Sequence, residues 1–166
     1  MNKTYRNVLM WALYAVLFLA VLVLQTVAFG NRRFFSVKLS LIPVAVACIA
    51  MQADHEAGGL FALIAALVWC FTGADGGSLA IVTMTVIGIL SGYLCSAVYA
   101  RRLLPALCLS LGAVLFHEGA LFLIKYYLEE ADPGLWLWLP KQAGLSILAC
   151  PPIYGLAKAI GKVGEG

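Results

Sequence analysis

The chain has 166 residues, 63% of them hydrophobic and 11% charged, against about 45–50% and about 25% in an ordinary soluble domain. Eleven Lys and Arg with eight Asp and Glu are too few to cover a soluble protein of this length, which excludes a soluble globular class. The net charge of +3 is small and its charges are scattered, which excludes nucleic-acid binding through a basic surface.

The charges fall in short clusters between long uncharged runs, and a bilayer core of about 30 Å takes about 20 apolar residues per helix. The first run lies between Arg6 and Arg32 and predicts a span from about Val8 to Phe29. It is too long for a signal peptide, and Ala28-Phe29-Gly30 is a poor cleavage site, so it reads as an uncleaved span. The second run, Leu39 to Ala53, has 15 residues. It reaches spanning length over 34–53 if Lys38 snorkels to the interface, with a kink expected at Pro43. After Asp54-His55-Glu56 a short third segment, 57–71, pairs with the second as a tight hairpin.

Gly73 to Ser78 is a turn by composition, with Asp75 or Ser78 available to cap the next helix. Span four is expected over 79–100 and is closed by Arg101-Arg102. Span five covers 103–124, with Pro105 in its first turn. An acidic loop with Glu129, Glu130 and Asp132 follows. Trp136 and Trp138 stand where an interfacial aromatic belt would lie, before span six over 139–160, which is broken near Pro151-Pro152. The expectation is an all-α polytopic membrane protein, with six transmembrane helices in one compact bundle forming a single integral domain over residues 1–166.

Six spans place both termini on one side. A cytoplasmic assignment puts Lys3, Arg6, Arg101, Arg102, Lys158 and Lys162 inside, against Arg32, Arg33, Lys38, Lys125 and Lys141 outside. The excess of basic residues favours cytoplasmic termini, and Arg32-Arg33 argues the other way.

His117-Glu118 is the ionisable pair well inside a run, where each charge costs about 2.5–3.5 kcal/mol unless paired or neutralised. The simplest reading is a protonated or hydrogen-bonded Glu118 beside a satisfied interior histidine. A proton or ligand role and an interhelical partner contact are the alternatives. His117-Glu118-Gly119-Ala120-Leu121 lacks the second histidine of a zinc protease. Gly88-Ile89-Leu90-Ser91-Gly92 is not a nucleophile elbow, and the Gly73 to Gly77 turn lacks the Lys-Ser/Thr of a phosphate loop. The cysteines Cys48, Cys70, Cys95, Cys108 and Cys150 all fall in apolar runs without disulfide or metal spacing, and read as small hydrophobes. The expectation is a non-enzymatic protein without a cofactor or a metal.

Gly88, Gly92, Ser96 and Ala100 recur every four residues on span four, a small-residue stripe that lets another helix approach closely. Ala106, Ser110, Ala113 and His117 form a weaker face of the same kind on span five. Either face can pack within this domain. If the first is free for another membrane protein, its four residues are the candidate partner face.

Three stretches read together carry a family resemblance: Phe35-Ser36-Val37-Lys38-Leu39-Ser40-Leu41-Ile42-Pro43-Val44-Ala45-Val46-Ala47, the Gly58-Gly59 to Gly73 hairpin with Leu67-Val68-Trp69-Cys70, and Cys150-Pro151-Pro152-Ile153-Tyr154. The chain resembles the MreD family of bacterial rod shape-determining proteins from Leu24-Gln25 to the Pro151-Pro152 region. It departs from that pattern at Lys38-Leu39, where the family often has Lys-Pro, and at Cys70, where the family has Asp after Trp; Asp75 is the nearby acid. The resemblance implies a scaffold of the cell-elongation complex in the bacterial cytoplasmic membrane. It would work with MreC, the MreB filament, RodA and a class B penicillin-binding transpeptidase in peptidoglycan synthesis. The family is also similar in fold to substrate-binding subunits of energy-coupling-factor vitamin transporters, which supplies the alternative function. A vitamin pocket needs convergent polar groups, for which Arg32, Arg33, His117 and Glu118 are the available contributors. A scaffold needs only packing faces.

Overall fold

A computed structural model of the chain describes residues 3–29, 39–72, 77–97, 102–128, 137 and 139–165. The elements among these residues are seven α-helices: α1 (Lys3–Val23), α2 (Ile42–Ala50), α3 (His55–Phe71), α4 (Gly77–Ala97), α5 (Leu103–Leu128), α6 (Leu139–Ile147) and α7 (Cys150–Glu165). Helix α1 continues as a π-helical segment, Leu24–Phe29, in which the Thr26 hydroxyl donates back to the Leu22 carbonyl at 2.8 Å.

The all-helical class follows from the long apolar runs, while three or four helices among the described residues, not clearly six, are long and apolar enough to cross a membrane. Thr4–Val27, α4 and α5 are each long and apolar enough to cross a membrane. The pair α6 and α7 makes a fourth candidate if it is taken as one span bent by 46°. That bend falls between Ile147 and Cys150, and Pro151-Pro152 occupy the first turn of α7. Proline there removes N–H groups that have no intrahelical partner in any case.

The expected second span is replaced by something shorter. Helix α2 has nine residues, about 14 Å at 1.5 Å per residue, and cannot cross a bilayer core. Pro43 does not kink a longer helix but stands in the first turn of this short one. Every residue of α2 is buried, and it lies against α1, α3, α4, α5 and α7. The apolar run that reads as lipid-facing is therefore a core element enclosed by protein. Residues 34–38 and the belt tryptophans Trp136 and Trp138 lie outside the described residues, as do Arg32, Arg33, Asp75 and the acidic loop.

Helix α3, of 17 residues, turns back from α2 and runs antiparallel to α4, the most extensive helix contact in the molecule. Helices α1 and α7 are also antiparallel. Tyr14 donates to the Ala157 carbonyl at 3.3 Å and the Arg6 guanidinium to the Gly164 carbonyl at 3.1 Å, so the two ends of the chain meet.

The entry to α2 is held by side chains from elsewhere. Gln25 Oε1 accepts from the backbone N–H of Leu41 at 2.8 Å and of Ile42 at 3.0 Å. The Ser40 N–H donates to Ser146 Oγ at 3.0 Å. Pro43 has no N–H to satisfy. Gln25→Leu strands two N–H groups at a buried helix start, each worth roughly 1–3 kcal/mol. It should lower the thermal unfolding midpoint of the detergent-solubilised protein, and an unchanged midpoint would show that the Gln25 cap contributes nothing.

Candidate functional site

The expected partner stripe on α4 is occupied from within. A Cβ at Gly88 would collide with the Ala62 methyl and stand 2.8 Å from the Gly58 carbonyl oxygen, both on α3. A Cβ at Gly92 would lie 2.8 Å from His55 Cα. These two glycines let the backbones of α3 and α4 approach to a separation that no side chain would permit. Ser96 lies off this contact, exposed, with its hydroxyl donating to the Tyr93 carbonyl at 3.0 Å. Ala100 lies outside the described residues. Gly88 and Gly92 are thus covered by α3 of the same chain.

The second small-residue face is likewise interior, since Ala106, Ser110, Ala113 and His117 on α5 are all buried. His117 is fully enclosed, its ring 5.3 Å from that of Trp69 and its Nδ1 2.8 Å from Thr83 Oγ1. Thr83 also stands 3.0 Å from the Leu79 carbonyl. With the hydroxyl proton donated to that carbonyl, Thr83 Oγ1 accepts from His117 Nδ1–H, and Nε2 is left as a bare ring nitrogen. No group among the described residues meets that nitrogen. Glu118 lies about 100° further round α5 and is half-buried. The expected His117-Glu118 pair is thus divided, one side chain sealed in the core and the other nearer the surface.

A second polar cluster was not anticipated from the sequence. Cys48 from α2, Ser110 from α5 and Cys150 from α7 converge, with Ser110 Oγ 3.3 Å from Cys150 Sγ and 3.7 Å from Cys48 Sγ. All three are fully buried. Their separation in the sequence hides them from any spacing rule. Cys70, at the position where the resembled family has Asp, donates its thiol to the Gly77 carbonyl at 3.0 Å and so ties the end of α3 to the start of α4. A carboxylate could not make that donation.

Among the described residues no group of three or more His, Cys, Asp and Glu side chains converges to hold a metal ion. Comparison of the chain with family models, with curated proteins and with solved structures finds no match in any of the three.

Substitutions at two positions test this interior. Gly88→Val places a branched side chain against Ala62 and the Gly58 carbonyl and should cost roughly 1–3 kcal/mol of stability, read as a lowered unfolding midpoint in detergent. Thr83→Val removes the partner of buried His117 Nδ1 and should cost a similar roughly 1–3 kcal/mol, whereas Thr83→Ser, which keeps the hydroxyl, should stay close to wild type. Equal behaviour of the valine and serine variants would remove the Thr83–His117 bond from the account.

Proposed function

We propose that this protein is a non-enzymatic scaffold of the bacterial cell-elongation complex, a multi-pass protein of the cytoplasmic membrane with both termini cytoplasmic. It holds MreC by helix packing, in the assembly that contains MreB, RodA and a class B transpeptidase. In this reading α1, α4, α5 and the bent pair of α6 and α7 are the crossings, an even number that leaves both termini on one side. The sequence resemblance to the MreD family supplies the partners, and one structural observation supports the mode of contact.

That observation is the outer face of α5. Cys108, Gly112, Leu115 and Gly119 follow one another at helical spacing along it, and the first three are exposed. Among the described residues, a Cβ at Gly112 or at Gly119 would meet nothing within 4 Å. The small-residue contact expected at Gly88 and Gly92 is spent on α3, while α5 keeps an open shallow face of the kind that admits a second helix closely. Thr83 with His117 and Ser40 with Ser146 are engaged with each other inside the protein, which favours a packed scaffold over a vitamin pocket.

The test is the double substitution Gly112→Leu, Gly119→Leu, which fills the open face without touching the core. Recovery of MreC with the tagged protein from native membranes should fall about tenfold, the equivalent of about 1.4 kcal/mol, and cells should lose their wild-type width. Unchanged MreC recovery and width, with the variant inserted at wild-type level, would remove α5 as the partner face. Recovery of ATP-binding cassette subunits with a bound vitamin would overturn the scaffold reading altogether.

A further inference from the structure

The sulfurs of Cys48 and Cys150 lie 3.8 Å apart, at the meeting of α2 and α7 and separated by 102 residues of chain. Both side chains are wholly buried and both thiols are free. Ser110, on a third helix, lies against both sulfurs and nearer to Cys150, where its hydroxyl can donate to the sulfur. Two thiols in contact, with a hydroxyl beside one of them, are more than small hydrophobes filling a core. A thiolate is the nucleophile in sulfur oxidation, and a donor at its side stabilises it.

We infer that Cys48 and Cys150 form an oxidisable dithiol, a modification site that a peroxide closes into a disulfide tying α2 to α7. The Cys150 sulfur attacks one peroxide oxygen and the O–O bond breaks. The departing hydroxide takes the thiol proton and leaves as water, and Cys150 becomes a sulfenic acid. The Cys48 sulfur then attacks the Cys150 sulfur and the S–O bond breaks, and the second hydroxide leaves as water with the Cys48 proton. Two thiols lose two electrons and the peroxide gains them, with two waters as the other product. The sulfurs, 3.8 Å apart, must close to about 2 Å.

The other cysteines are controls within the same chain. Cys70 is turned to the Gly77 carbonyl, and Cys108 is exposed on α5. The full-length protein in native membranes is treated with hydrogen peroxide, denatured, and labelled with a maleimide mass tag. Untreated protein should take up five tags, one for each cysteine of the chain. Treated protein should take up three, and five again after reduction, and peptide mapping should find Cys48 joined to Cys150. Cys150→Ser should take up four tags with or without peroxide; Cys48→Ser should take up four without peroxide and, with it, form no disulfide, because the Cys150 sulfenic acid then has no thiol to close with. Five tags on the treated wild type overturns the proposal, as does a count of four from oxidation of one sulfur alone, or a disulfide that includes Cys70, Cys95 or Cys108. The wild-type count decides the matter even if a serine variant fails to insert. It does so independently of whether the chain binds MreC.

Discussion

A short helix enclosed on every side must find partners for its backbone ends inside the protein, because no water reaches it. Helix α2 imposes this constraint on the whole molecule. An α-helix begins with four N–H groups that lack intrahelical acceptors. Here Pro43 removes one, Gln25 takes those of Leu41 and Ile42, and the N–H of Ser40 just before them goes to Ser146. A glutamine near the end of α1 and a serine on α6 are thus committed to a helix remote from both in the sequence. Losing either leaves a polar group stranded in an apolar interior, at a cost that small changes in side-chain packing cannot recover.

Once α2 is fixed, the remaining helices are limited by how closely they can approach it and one another. In a bilayer the lipid is as apolar as a leucine side chain, so association depends on packing and on interhelical hydrogen bonds rather than on burial of apolar area. Glycine serves the packing at the α3–α4 contact, where a Cβ at Gly88 would press on the carbonyl of Gly58. The same residue type on α5 has no such neighbour: Gly112 and Gly119 open onto space. A small-residue stripe therefore states that close approach is possible, and leaves to the surrounding helices whether the approaching helix belongs to the same chain.

This explains what the sequence could and could not reveal. The helical class, the positions of α1, α4 and α5, and the break at Pro151-Pro152 follow from run lengths and helix breakers, which are local properties. The length of α2 does not. An apolar run looks the same whether lipid or protein covers it, and the cap at the start of α2, on the N–H of Leu41, comes from Gln25, 16 residues away. At the site, His117 stands out as an ionisable residue in an apolar run. The group that meets its Nδ1, Thr83, lies 34 residues earlier on another helix, and no periodicity links the two. Cys48, Ser110 and Cys150 are invisible for the same reason, since each reads singly as a small core residue.

The polar contacts of the interior share a further property: most join different helices. Thr83 to His117, Ser40 to Ser146, Gln25 to the start of α2, and Ser110 to the two thiols each require a particular rotation of each helix about its axis. Apolar side chains of similar size would tolerate several rotations with little difference in energy, because van der Waals contacts are individually weak and interchangeable. Hydrogen bonds inside a medium without water do not allow that substitution, since a rotated helix leaves both partners unsatisfied. The interior polar residues thus select one arrangement from many that would pack comparably well. In the proposed role, a partner on the outer face of α5 meets no such polar code. Leu115, Gly112 and Cys108 offer shape rather than hydrogen bonds, so discrimination among membrane partners would rest on the fit of one helix ridge into that shallow face and on the rigidity that the buried contacts lend to it.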